Sequence, residues 1–279
     1  NYLGNTNLKK IGIPISFTEQ QILEYKKCSE DPVYFVDNYC YIVTLDHGLQ
    51  PFKLYDCQKK KLKIIHDNRK VILMEGRQQG KTTTAAAYIL WYTIFQESKS
   101  VAILANKSST AREIMSRYQL MYENLPIWLQ QGIVTWNKGN VELENGSKII
   151  AASTSSSAIR GGSFNLVFLD EFAFVPTNMA TEFFNSVYPV ISSGKSTKIF
   201  IVSTPNGMNL FYKMWMDAIE KKSSYVPLNI HWSDVPGRDQ KWREETIRNT
   251  SEEQFRQEFE TEFLGSSNTL ISEIGRAHV

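Results

Sequence analysis

Residues 70 to 84, KVILMEGRQQGKTTT, hold the side chains best suited to chemistry. Val71 to Met74 is an apolar run suited to a buried strand; the pattern breaks at Glu75-Gly76 and resumes at Gly80-Lys81-Thr82 as an Ala-rich helix. Glycine lets backbone N–H groups curl around phosphate oxygens, and the helix start adds the positive end of its dipole. In such a loop Lys81 reaches the β- and γ-phosphates of a nucleotide and Thr82 holds Mg²⁺. One position departs from the pattern G-x-x-x-x-G-K-[ST]: Glu75 stands where the first Gly belongs, and Gly76 follows it. The stretch reads as a variant phosphate loop.

Two more runs end in polar residues. Leu166-Val167-Phe168-Leu169 predicts a buried strand from which Asp170 and Glu171 emerge together, at the sheet edge where open α/β sheets bind ligands. Successive strand residues diverge, so Asp170 can face a Mg²⁺ shell while Glu171 addresses a water near the γ-phosphate. Lys198 to Val202 repeats the pattern and ends in Ser203-Thr204-Pro205-Asn206-Gly207, whose hydroxyls can bond the γ-phosphate or its water. Gln58 precedes the loop and offers both an acceptor and a donor, which suits the N6 and N7 edge of adenine.

The elements that must position these residues follow from periodicity. Thr18-x-x-Gln21 and Thr110-x-x-Glu113 have capping-box spacing, the first for a helix through about Lys27. Asp31-Pro32 starts a short helix, Tyr41 to Leu45 a strand before the Asp46-His47-Gly48 turn, and Lys59 to Lys63 a basic helix with a solvated face ending near Asn68. His47 and His66 read as solvated turn residues. Thr84 to Phe95 predicts a helix, Val101 to Ala105 a buried strand, and Ile133 to Ala152 short strands with turns at Lys138-Gly139-Asn140 and Asn145-Gly146. Ser153 to Ser163 is a Ser- and Gly-rich loop whose one charge is Arg160. Asn209 to Lys221 predicts a helix with Leu210, Phe211, Met214, Trp215 and Ile219 inward. After a strand at Val226 to His231 come charged helices, the last capped by Ser251-x-x-Gln254. Alternating strands and helices imply an α/β fold with a mainly parallel central sheet.

A chain of 279 residues, 42% hydrophobic, can bury a full core in one large or two small domains. No apolar run approaches the roughly 18 residues of a membrane span, and no membrane partner is expected. Cys28, Cys40 and Cys57 lack metal-ligand spacing and read as reduced thiols of an intracellular protein. A net charge of +2 permits a nucleic-acid partner without requiring one.

Together these motifs resemble the ATPase domain of the large terminase subunit of tailed bacteriophages, most closely the T-even-type myoviruses. The likeness rests on Gly76-Arg77-Gln78-Gln79-Gly80-Lys81-Thr82, on Arg160-Gly161 ahead of Leu166 to Glu171, and on Ser203-Thr204-Pro205 as the coupling motif. Ile133-Val134-x-Trp136-Asn137-Lys138-Gly139 and Val190-Ile191-Ser192-Ser193-Gly194 extend it. The resemblance implies an additional-strand P-loop ATPase that uses ATP and Mg²⁺ to drive double-stranded DNA into a procapsid. It makes residues 76 to 83, Thr83 included, the ATP-binding stretch, Gln58 the adenine contact, Glu171 the activator of water, and Asp170 with Thr82 the metal ligands. It makes Arg77 a sensor or finger in cis and Arg160 a finger reaching a neighbouring subunit. It further implies a core at 30 to 225, a small lid from 1 to 29 and 226 to 265, and a linker at 266 to 279 leading to an RNase H-like nuclease outside this chain. Glu273 to Val279 does not follow the family's pattern. The implied partners are the portal protein, the small terminase subunit and further copies in a ring, the isolated domain being monomeric. The implied location is the host cytoplasm, transiently on the procapsid portal.

A two-RecA helicase shares these motifs, but about seventy-five residues after Thr204 fall short of the roughly 100 to 150 of a second domain. A non-catalytic nucleotide-binding scaffold would need neither Glu171 nor an arginine in its loop.

Overall fold

The structure, a computed structural model, describes residues 1–155 and 162–264. Helix α1 (Glu19–Glu30) opens at the expected capping box, in which Gln21 N–H donates to the Thr18 hydroxyl at 3.2 Å and Thr18 N–H to the Gln21 side chain at 3.0 Å. Helix α2 (Pro32–Tyr39) starts on the Asp31 carboxylate with Pro32 in its first turn. A hairpin of β1 (Tyr41–Thr44) and β2 (Gly48–Pro51) leads to α3 (Asp56–Asp67) and β3 (Lys70–Glu75). Then come α4 (Lys81–Phe95), β4 (Ser100–Ala105), α5 (Ser108–Glu123) and the antiparallel run of β5 (Ile133–Trp136), β6 (Asn140–Leu143) and β7 (Lys148–Ser153). Next are β8 (Leu166–Asp170), α6 (Thr177–Ser193), β9 (Lys198–Ser203), α7 (Leu210–Ile219) and β10 (Val226–Ile230). Helices α8 (Gln240–Asn249) and α9 (Glu252–Glu258) complete the described residues.

The central sheet runs β10-β3-β9-β8-β4-β7-β6-β5, parallel from β10 to β7 and antiparallel beyond. The parallel strands read as unbroken apolar runs because both faces are covered. Val71, Leu73, Val101, Ile103, Phe168 and Phe200 pack under α3, α4 and α5; Ile72, Met74, Val167, Leu169, Ile199 and Ile201 pack under α6 and α7. Strand β9 lies between β3 and β8, so the C-terminal ends of β3, β9 and β8 are neighbours. Among the described residues no helix is long and apolar enough to cross a membrane.

Several expectations are corrected. The boundary at residue 225 cuts through the sheet, since Val226 to Ile230 pairs in parallel with Val71 to Glu75 as its edge strand. The N-terminal segment, expected in the lid, belongs with the core: Leu8 and Cys28 sit in the main hydrophobic cluster, and Ile133 N–H donates to Lys9 O at 3.0 Å. A separate small cluster of Trp232, Phe255 and Phe259, with Trp242 and Ile247 against it, lies after β10. Helix α5 starts at Ser108 without a side-chain cap; Glu113 instead pairs with Arg117 one turn on. Ile219 is 50% exposed because α7 ends there, and Ala218 takes the buried position. Lys61 is not on a solvated face but fully buried. Helix α6 is an addition to the expected elements; Ala180, Phe183, Val187 and Ile191 give it a buried stripe around an internal Pro189.

Candidate active site

The loop between β3 and α4 closes on two glycines that admit no side chain. A Cβ on Gly76 would lie 2.8 Å from Glu258 O, and one on Gly80 2.6 Å from Gln58 Nε2. Gly80, the residue that caps α4, has φ +78, and Gln78 has φ +56, both in the left-handed region. Gln79 is buried; its Oε1 accepts from Gly76 N–H at 3.2 Å and its carbonyl from Gln58 Nε2 at 3.3 Å. Among the described residues no side chain caps the start of α4, so its first N–H groups can face an anion.

The expected carboxylates stand opposite this loop. Thr82 Oγ1 donates to Asp170 Oδ2 at 3.4 Å, while Asp170 Oδ1 is buried with no hydrogen-bond partner among the described residues. Burial, and then the negative charge of Glu171, push the Asp170 carboxyl up to about 7. Glu171 breaks from the strand with φ +49, an uncommon backbone state for a non-glycine residue. That turn aims its carboxylate at Lys81, with which it forms an ion pair, and at Ser203 and Thr204. The Glu171 Oε2 atom accepts from Thr204 Oγ1 at 3.2 Å, Thr204 N–H at 3.4 Å and Ser203 Oγ at 3.4 Å. Ser203 Oγ in turn accepts from Ala173 N–H at 3.1 Å.

Lys81, Thr82, Asp170, Glu171, Ser203 and Thr204, all expected at the site, thus form one continuous polar cluster. Residues 72–275 match the family described as "Terminase large subunit, T4likevirus-type, N-terminal". The chain belongs to this family. A stretch of 126 residues is 31% identical to the large terminase subunit of Escherichia phage T5, covering 44% of this chain and 28% of that protein. The fold is similar to the ATPase domain of the Thermus phage P74-26 large terminase, with a TM-score of 0.61 and 20% identity over 76% of this chain and 95% of that domain. It is also similar to the HK97 large terminase, with a TM-score of 0.69 and 18% identity over 84% and 55% of the two chains. A large terminase from a thermophilic bacteriophage, in complex with ADP, matches with a TM-score of 0.61 and 14% identity over 76% and 54%.

Other expected residues of this terminase chain sit differently. Arg77 is largely exposed, and its guanidinium pairs with Glu258 of α9 at 3.2 Å. The Thr83 hydroxyl accepts from Arg117 at 2.6 Å and so is turned to α5. Gln58 is buried under the loop, with its Oε1 accepting from Tyr55 N–H at 3.0 Å. It lines a cavity of about 410 Å³ together with Thr44, Gln50, Tyr55, Thr83 and Val235, between the β1–β2 hairpin and the loop. Pro205 O accepts from Gln257 of α9 at 3.3 Å. Arg160 lies outside the described residues.

Arg238 is an addition to the expected site. It donates to Gln78 O at 2.8 Å and to Arg77 O at 3.4 Å, and its guanidinium stacks on the Trp242 ring at 4.7 Å. The Arg77 N–H donates to Glu258 O at 2.9 Å. The segment after β10 therefore grips the β3–α4 loop by backbone and side chain, and the local signal for it is no more than a Pro236-Gly237 turn with Gly237 at φ +84.

Proposed function

We propose that this chain is the ATPase motor of a phage DNA-packaging machine, hydrolysing ATP to drive double-stranded DNA into a procapsid. The observation that carries the reading is the shared carboxylate of Glu171, paired with Lys81 of the phosphate loop and hydrogen-bonded to Thr204 of the coupling motif. A catalytic base is thereby tied to both the nucleotide loop and the element that reports on it.

A divalent cation fits the site. Asp170 Oδ1 is buried without a partner among the described residues and the Thr82 hydroxyl lies beside the same carboxylate, two hard oxygen donors of the kind Mg²⁺ takes. Bound there, Mg²⁺ would neutralise charge on the β- and γ-phosphates. On nucleotide binding Lys81 exchanges Glu171 for phosphate oxygens, which frees Glu171 Oε1 while Thr204 and Ser203 keep Oε2 in place. The freed oxygen takes the proton of the attacking water. Gln58 addresses the adenine from the wall of the cavity, and Arg77 acts in cis after leaving Glu258. Arg160 supplies positive charge to a neighbouring subunit's γ-phosphate.

The lid is assigned to residues 231 to 264, around the Trp232, Phe255 and Phe259 cluster. The partners are DNA, held mainly through phosphates and therefore in a salt-sensitive way, the portal, the small subunit and further copies in a ring. The reaction takes place in the host cytoplasm, on the procapsid portal.

The test is Mg²⁺-dependent ATP turnover by this chain, beside packaging by the large subunit that carries it. Lys81→Ala is expected to abolish nucleotide affinity and turnover. Glu171→Gln is expected to bind ATP with turnover down by roughly 10²-fold or more, and to stop packaging. Equal turnover in Glu171→Gln and wild type would remove Glu171 as the base.

A further inference from the structure

We infer that Lys61 is a positioning residue for the phosphate loop, acting through Glu75. Glu75 occupies the position where a phosphate loop ordinarily has its first glycine. A carboxylate at the foot of a loop built to hold phosphates is electrostatically adverse unless a cation neutralises it. Lys61 does so: its Nζ lies 3.0 Å from each Glu75 oxygen and donates a hydrogen bond to Oε2. The side chains are 1% and 0% exposed, so each charge depends on the other rather than on water. Apolar residues of similar volume fill such a site at least as stably, so the pair is better understood as fixing a geometry than as adding stability.

The geometry it fixes is that of the loop. Helix α3 carries Gln58 one turn before Lys61, and residues three apart share a helix face. Lys61 holds Glu75, the last residue of β3, while Gln58 holds the carbonyl of Gln79 and packs under Gly80. The same helix face therefore grips the loop where it leaves the sheet and where it enters α4. Leu62 and Ile65 anchor α3 in the main core, so these two polar contacts transmit a fixed support to the backbone that presents Lys81. Glu75 is thus a specific replacement matched by Lys61, and the base-facing cavity and the phosphate loop share one helix as their common support.

This role rests on the loop being a nucleotide site, and the experiment separates the two. ADP affinity by calorimetry, thermal melting, and kcat and KM for ATP are measured for wild type, Lys81→Ala, Lys61→Arg, Glu75→Asp and the double variant Lys61→Met/Glu75→Leu. The double variant removes both charges at once and is expected to melt near wild type yet to bind ADP about tenfold or more weakly, because sub-ångström loop placement is lost. Lys61→Arg keeps the charge and is expected to stay within about threefold of wild type. A double variant that melts and binds ADP like wild type overturns the role of Lys61. If the double variant does not fold, Glu75→Asp decides: the shorter carboxylate is expected to weaken ADP binding by about threefold or more with kcat/KM falling in parallel, and unchanged binding overturns the proposal. Wild type that binds no ADP, or binds it no better than Lys81→Ala, overturns the nucleotide reading itself.

Discussion

Thr204 donates its hydroxyl to Glu171 at 3.2 Å, so the residue proposed for coupling touches the carboxylate proposed as the base. Strand β9 makes this contact possible because it lies directly beside β8, with Val202 opposite Asp170 in register. Removing the hydroxyl leaves Glu171 one fewer charge-assisted bond and a looser aim. Thr204→Ala is therefore expected to lower ATP turnover by about tenfold, equivalent to roughly 1.4 kcal/mol of barrier, while ADP affinity stays near wild type. Turnover equal to wild type, or an affinity loss as deep as that of Lys81→Ala, would break the link.

Arg238 joins the lid to the backbone of the phosphate loop through Gln78 O and Arg77 O. Hydrogen bonds from a charged donor contribute on the order of 1.5 to 3 kcal/mol, and the partial exposure of this contact places it at or below the lower end. Arg238→Ala is expected to weaken nucleotide binding several-fold and to speed amide exchange at Gln78 and Gln79. Hydrogen exchange monitored by mass spectrometry checks this, and unchanged protection of the loop would rule out the clasp.

If Arg160 acts on the nucleotide of a neighbouring subunit, specific activity should rise with protein concentration, since the finger is worth roughly 10³ to 10⁵ in rate. Mixtures of Arg160→Ala and Glu171→Gln subunits, each inactive alone, are expected to regain activity where an intact Arg160 faces an intact Glu171. High activity independent of concentration, with Arg160→Ala unimpaired, assigns the role to Arg77 instead.

His66 is expected to make the stability depend on pH. Rather than occupying a solvated turn, it lies in the last turn of α3, edge-on to Trp91 at 5.0 Å, with Nδ1 buried and without a partner among the described residues. Burial, then the positive charge of Lys198, hold its pKa below the ordinary imidazole value. The unfolded chain therefore binds the proton more readily, and the stability this group contributes is present above about pH 6.5 and lost as pH falls through the lower folded value. Thermal melts from pH 8 to pH 5 are expected to show a loss of stability in wild type relative to His66→Gln that grows towards the acid side. Parallel curves for the two proteins would exclude His66 as the source.

The site was legible in the sequence wherever it is built from local pattern. An apolar run followed by Gly80-Lys81-Thr82 specifies a strand, a tight loop and a helix from neighbouring residues alone. Asp170, Glu171, Ser203 and Thr204 could be assigned to one edge because each ends an apolar strand, and parallel strands bring their C-terminal ends together. Thr18 and Ser251 announced their helices for the same reason, since a cap bonds to a backbone N–H three residues away. Tertiary structure decided the contacts whose partners are distant in sequence and carry no periodic signal. Lys61 stands in a basic run that looks solvated until α3 packs and turns this one lysine towards Glu75. Arg238 and Glu258 reach a loop some 160 or more residues away only because β10 pairs with β3 and carries the lid to that edge. The left-handed turn at Glu171 likewise follows from neither its residue type nor its neighbours. It persists because Lys81 at the start of α4 and Ser203 and Thr204 at the end of β9 hold its carboxylate, a constraint that exists only once the sheet has formed.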